Sequence, residues 1–68
     1  MDYELLREAR LDAGLTQEAM AALLGYKDKS SYCLLENGTV KFTVEQSRTI
    51  KRVLNLSLEK YAQIFLPE

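Results

Sequence analysis

Glu8 and Asp12 stand four residues apart, a spacing that puts two carboxylates on one side of a helix, where paired acids could move protons. The remainder of such a site is missing. The chain has no histidine, a single cysteine at Cys33, no glycine-rich phosphate loop and no nucleophile set beside a base. The pair therefore reads as a solvated face, and no enzyme is expected. Without histidine or a second cysteine, neither a structural zinc site nor an internal disulfide is expected, and nothing calls for a cofactor or a small-molecule ligand. A chain of 68 residues makes one domain, which buries only about 60% of the surface its unfolded form exposes. Packing alone must hold it.

The net charge of −1 is the opposite of what a nucleic-acid partner favours. Its distribution is uneven. Residues 1–26 set two basic residues, Arg7 and Arg10, against five acidic ones, Asp2, Glu4, Glu8, Asp12 and Glu18, a balance of −3. Residues 27–52 set six basic residues, Lys27, Lys29, Lys41, Arg48, Lys51 and Arg52, against three acidic ones, Asp28, Glu36 and Glu45, a balance of +3. Such asymmetry fits one basic face on an acidic body, and fits an ordinary mixed surface equally well. Asp2 and Glu4 lie where a signal peptide would be basic, and no apolar run approaches the ~20 residues of a membrane span. A soluble, cytoplasmic protein is expected.

The elements that would position these groups are helices. Gly14, Gly25 and Gly38 each follow a stretch of helix formers, as left-handed terminators do. Asp2 caps a first helix to about Ala13. Thr16 caps a second, Gln17 to Leu24. A third runs from near Lys29 to Asn37. Thr43-Val44-Glu45-Gln46 has the form of a capping box opening a fourth through Leu54, with Asn55 as its left-handed end. Ser57 caps a fifth, which carries Tyr61, Ile64 and Phe65 and stops before Pro67. No segment alternates like a strand, so the fold class is all-α. The expected core takes Leu6 with Leu5 or Ala9, then Met20, Ala21, Leu24, Tyr32, Leu35, Val44, Ile50, Val53 and Leu54. Ala21, four residues before Gly25, lets the second and third helices cross closely.

The run from Arg10 to Gly38, with Gly14-Leu15-Thr16-Gln17-Glu18, Met20-Ala21, Leu24-Gly25 and Leu35-Glu36-Asn37-Gly38, resembles the Cro/CI-type helix-turn-helix regulators, the xenobiotic-response-element family. The later runs Thr43-Val44-Glu45-Gln46 and Val53 to Glu59 look like the fourth and fifth helices of the same family. The resemblance implies a five-helix, lambda-repressor-like domain over residues 1–68, with the helix-turn-helix motif at about 16–37. It implies a sequence-specific, repressor-like regulator that binds double-stranded DNA, with its third helix in the major groove. Lys29, Ser30, Cys33 and Leu34 match base-facing positions, with Ser31 beside them. Gln17 matches a phosphate contact, as do Asn37 and Lys41 in the following loop, with Lys27 added on the turn. Arg10 and Glu36 match a structural ion pair, whose disruption is expected to cost about 3 kcal/mol or more. Leu15, Met20, Ala21, Leu24, Tyr32 and Leu35 match buried positions.

The sequence also departs from the family pattern. Between Gly25 and Gly38 there is one residue more than the commonest spacing, so Tyr26-Lys27-Asp28 makes a longer turn. Cys33 and Leu34 make the groove-facing surface less polar than usual, Thr39-Val40 replace a frequent basic pair, and Ser47 and Lys51 take inner positions on the fourth helix, from which Lys51 can snorkel outward. A second function class stays open on these departures: a protein-interaction module that uses the apolar Leu34 face, with Leu11 and Leu23. Self-association as a homodimer is expected through the C-terminal helices, where Tyr61, Ile64, Phe65 and Leu66 offer apolar surface.

Overall fold

Each helix begins where a short polar side chain can accept a free backbone amide, and the first four end where the chain turns left-handed. Asp2, Thr16, Asp28, Thr43 and Ser57 cap α1 (Tyr3–Asp12), α2 (Gln17–Leu23), α3 (Lys29–Glu36), α4 (Val44–Val53) and α5 (Leu58–Phe65). Each accepts from the amide three residues on, which satisfies one of the four orphan donors at a helix start. The computed structural model describes residues 1–66, and there is no strand among them. Pro67, expected to stop α5, lies outside the described residues. α4 opens with the full capping box, Thr43 and Gln46 each holding the other's backbone N–H at 3.0 Å. Asn55 ends it at φ 54°, the left-handed geometry that asparagine tolerates better than most side chains.

Leu6, Met20, Tyr32, Leu35, Ile50 and Ile64 are fully buried, with Ala21 and Leu54 beside them. Burying each of the larger side chains contributes about 1.5–3 kcal/mol before the entropy cost of folding. α2 packs chiefly on α3, where the single methyl of Ala21 lets the helices approach. The Asp2 amide donates to the Ile64 carbonyl at 2.8 Å, tying the start of α1 to α5.

Three expectations about the core need correction. Val44 is 72% exposed, because it is the first residue of α4 and the Thr43 cap turns that position away from the bundle. Leu15, Leu24 and Val53 are only half-buried, since each sits at a helix boundary on the rim of the core. Ile64 is fully buried, and Phe65 packs edge-on to Phe42 and tilted on Tyr61, so the spare apolar surface of α5 lies at Leu58 and Leu66 and not at Ile64. The inner position of Ser47 is real. Its hydroxyl donates to the Val44 carbonyl at 2.7 Å and meets the Tyr61 hydroxyl at 2.8 Å, so the buried group is satisfied. Lys51 is half-buried.

Candidate nucleic-acid interface

The third helix buries Tyr32, Leu35 and Glu36 and turns Lys29, Ser30 and Leu34 outward, with Ser31 and Cys33 half-buried at the edges of that face. The 3.6-residue period explains the division, since residues 30 and 34 stack on one side while 32, 35 and 36 fall on the other. All five expected base-facing residues are thus on α3, and Lys29, Ser30 and Leu34 share its outer side. Leu34 is 42% exposed. Cys33 is a free thiol.

Sequence reasoning placed Asp28 only in the longer turn before α3. Its Oδ1 accepts the Ser31 amide at 3.2 Å and the Ser30 hydroxyl at 2.6 Å. The Ser30 hydroxyl, then the Ser31 amide, hold the Asp28 carboxyl below its usual pKa, since both favour the charged form. The signal was legible: an aspartate directly before a new helix, three residues ahead of Ser31, is an N-cap.

Behind α3 lies the pair that orients it. Arg10 Nε donates to Glu36 Oε2 at 2.8 Å and Arg10 Nη2 to Oε1 at 3.2 Å, while Nη1 donates to the Leu15 carbonyl at 2.8 Å. Both side chains are buried, and theirs is the sole ion pair among the described residues. Burial opposes the Glu36 charge and is the largest single effect, yet hydrogen bonds to the carboxylate and the nearby Arg10 charge outweigh it, leaving the carboxyl below its usual pKa. Burial, then the charge of the nearby Glu36 carboxylate, pushes the Tyr32 phenol well above its usual value; its hydroxyl lies toward Glu36 but makes no hydrogen bond of good geometry among the described residues.

Gln17 differs from expectation in its local attachment. Its Nε2 donates to Glu36 Oε1 at 3.1 Å, so the amide is already anchored, with its other N–H left over. Gln17 and Asn37 line one cleft of about 310 Å³ with Tyr3, Glu4, Arg7 and Glu36, which brings two of the four expected phosphate contacts together and places Arg7 beside them. Arg7 was not singled out from the sequence, because its segment is acidic. Asn37 Oδ1 accepts from the Thr39 amide at 3.0 Å and the Thr39 hydroxyl at 2.7 Å, which leaves its NH₂ end for an outside acceptor. Lys41 is exposed beyond that turn, beside Phe42 and Thr43, and Lys27 is exposed on the turn before α3. The long turn itself is held: Gln46 Nε2 donates to the Tyr26 hydroxyl, which connects the α4 capping box to the segment that launches α3.

A family model described as Helix-turn-helix matches residues 6–61, from inside α1 to inside α5. The chain belongs to the Cro/CI-type helix-turn-helix family. This is a family of DNA-binding regulators and not of enzymes. Within the matched residues α2 and α3 pack on each other across the Leu24 to Asp28 connection, and Arg10 and Glu36 are in contact. Neither the curated proteins nor the solved structures compared with the chain give a match. No helix of the described residues is long and apolar enough to cross a membrane, and no group of three or more acidic, cysteine or histidine side chains among them is placed to hold a metal ion.

Proposed function

We propose that this helix-turn-helix chain, as one domain over residues 1–68, is a cytoplasmic, sequence-specific transcriptional regulator of the repressor-like kind. It binds duplex DNA with α3 in the major groove. The observation that carries the reading is the two-sidedness of α3: a buried inner side locked by Arg10 and Glu36, and an outer side presenting Lys29, Ser30 and Leu34. A helix fixed in that way can enter a groove without losing the rest of the fold. Lys29, Ser30, Ser31, Cys33 and Leu34 face the bases. Gln17, Lys27, Asn37 and Lys41 meet phosphates, with the leftover amide N–H groups of Gln17 and Asn37 as donors. The overall charge of −1 does not prevent this, because the excess of basic residues lies in segment 27–52, which contains α3 and the loop after it.

The protein acts as a homodimer through its C-terminal helices. Val44, Leu58 and Leu66 are exposed around Tyr61, an apolar strip over the starts of α4 and α5 and the end of α5. A two-fold dimer would place two α3 helices in successive major grooves about 34 Å apart. Selection of bound sequences from random duplex DNA tests the whole reading, with a two-fold consensus as the expected result. The exposure of Leu34 favours one alternative, a protein-docking face. Salt separates the two, since phosphate neutralisation makes DNA affinity fall steeply with ionic strength and an apolar interface does not. Binding to DNA no stronger than that of an acidic control protein at low salt would reject the regulator.

A further inference from the structure

A cleft of about 710 Å³ runs between α4 and the start of α5. Its apolar lining is Val44, Leu56, Leu58 and Tyr61, of which Val44 is 72% and Leu58 76% exposed. Arg48, Lys51 and Arg52, three and four residues apart on α4, form a basic row along it, and no acidic side chain lines it. Glu45 lies across that row, in a different cleft with Leu23 and Leu24. None of the three cations is in an ion pair among the described residues, where Arg10 and Glu36 form the sole one.

Leu56 also lines a second cleft, of about 240 Å³, between α1 and α5. This one carries Glu8 and Asp12, the carboxylate pair that no catalytic group joins, and Glu4 extends their row by one helical turn. All three acids are exposed. Lys60 shares the cleft, half-buried, and offsets part of their charge. A basic row and an acidic row thus flank one leucine.

Two-fold symmetry makes that pattern decisive. In an isologous interface both protomers use the same patch, so what lies on one side of the axis meets what lies on the other. An axis through the middle of α4 would set three cations against three cations. An axis at Leu56 sets the basic row of each protomer against the acidic pair of the other, twice over, and covers the exposed Leu58. We infer that the partner for this surface is a second copy of the chain, seated so that Arg48, Lys51 and Arg52 of each protomer face Glu8 and Asp12 of the other across a two-fold axis at Leu56. The inference rests on the homodimer reading and specifies which part of the apolar strip the dimer uses, the cleft between α4 and α5 and not the Leu66 end. Leu56 and Leu58 form the apolar centre of the contact, and the charges form a rim that fixes its register.

Sedimentation equilibrium without DNA, from micromolar to millimolar protein, compares the wild type with two doubly substituted chains, Arg48→Glu with Arg52→Glu and Glu8→Lys with Asp12→Lys. All four side chains are exposed, and thermal melts establish that each variant is folded. The wild-type dimer should weaken as salt rises. At low salt each reversed variant should dimerise about tenfold or more weakly than the wild type. An equimolar mixture of the two should recover a heterodimer, because both of its contacts then pair opposite charges, and one chain carrying all four substitutions should dimerise again with itself. Reversed variants that dimerise as tightly as the wild type would overturn the inference and leave assembly to the Leu66 end of the strip. Loss of the dimer with no recovery in the mixture would reject the pairing of the two rows. A reversed α4 row that leaves the dimer intact but weakens duplex binding would make that row a phosphate contact, again against the inference. A wild type that stays monomeric throughout would remove the homodimer reading as well, while a site selected from random DNA would still support the regulator.

Discussion

Glu36→Gln isolates the Arg10–Glu36 pair. The substitution keeps the size of the side chain and removes its charge, so the buried Arg10 guanidinium loses its counter-ion. The amide can still accept from Arg10 through one oxygen. Its NH₂ end then confronts either Arg10 Nε or, in the other orientation, Arg10 Nη2 and Gln17 Nε2 together, all of them donors bound to Glu36 in the wild type. One hydrogen bond becomes a clash of donors and a charge is left uncompensated, a situation that costs about 3–5 kcal/mol. A domain of this length has roughly 3–10 kcal/mol of stability in all. Glu36→Gln should therefore lower the melting temperature by more than about 10 °C, at the ~4–8 °C per kcal/mol of a small domain. Urea unfolding followed by far-ultraviolet circular dichroism measures the loss directly, with Glu18→Gln on the exposed start of α2 as control. The pH dependence supplies a second check. The folded Glu36 carboxyl titrates below its unfolded value, so its contribution is complete above about pH 4.3 and is lost as pH falls through the folded pKa. In that acid window the wild type should lose stability more steeply than Glu36→Gln. A midpoint shift no larger than that of Glu18→Gln would refute the assignment of a buried, stabilising pair.

Lys41→Ala should weaken binding to all duplex sequences alike and lower the log-log salt slope by about one unit, whereas Lys29→Ala should cost about 1–3 kcal/mol mainly on the preferred site; equal losses on specific and random DNA from both would remove the division between positioning and reading. Leu34 cannot hydrogen-bond to a base but can pack on the C5-methyl of thymine, so replacing thymine with uracil at one position should reduce affinity modestly, and Leu34→Ala should erase that difference. Gly38 and Gly25 both have positive φ, at 87° and 84°, but a Cβ on Gly38 would sit 3.1 Å from the Tyr3 ring while one on Gly25 meets nothing. Gly38→Ala should therefore destabilise more than Gly25→Ala in the same urea assay, and equal losses would show that the ring moves aside freely. Tyr32→Phe removes a buried hydroxyl that has no hydrogen-bond partner among the described residues, so it should leave stability unchanged or slightly raised; a loss of more than about 1 kcal/mol would indicate a partner for that group.

The helices were legible in the sequence because their punctuation is local. Asp2, Thr16, Thr43 and Ser57 announce starts, Gly14, Gly25, Gly38 and Asn55 announce ends, and the structure places every one of them in that role. Burial was legible only where it follows from period. Val44 failed because a residue at the first helical position is directed by its cap, and Ile64 was taken for surface because the core it joins, with Leu6, Tyr32 and Ile50, is distant in sequence. The bidentate geometry of Arg10 and Glu36 came from resemblance alone. Twenty-six residues separate the two, and no local pattern records such a contact.

For the interface, sequence gave the residue types on α3 but not the direction of their hydrogen bonds. Ser30 reads on paper as a group that suits any base. In the structure its hydroxyl donates to Asp28 Oδ1 at 2.6 Å, so the same residue also secures the start of α3. Gln17 shows the complementary case: a residue expected to be free for phosphate spends one of its two N–H groups on Glu36, so the ion pair behind α3 also fixes the direction of the other N–H. Structural and recognition roles thus share one hydrogen-bond network, running from Leu15 through Arg10 and Glu36 to Gln17. Disruption of that network should therefore reduce DNA affinity as well as stability, even though Arg10 and Glu36 themselves are buried. Measuring binding of Glu36→Gln under conditions where it remains folded separates the effects: wild-type affinity there would mean that Gln17 positions itself without Glu36.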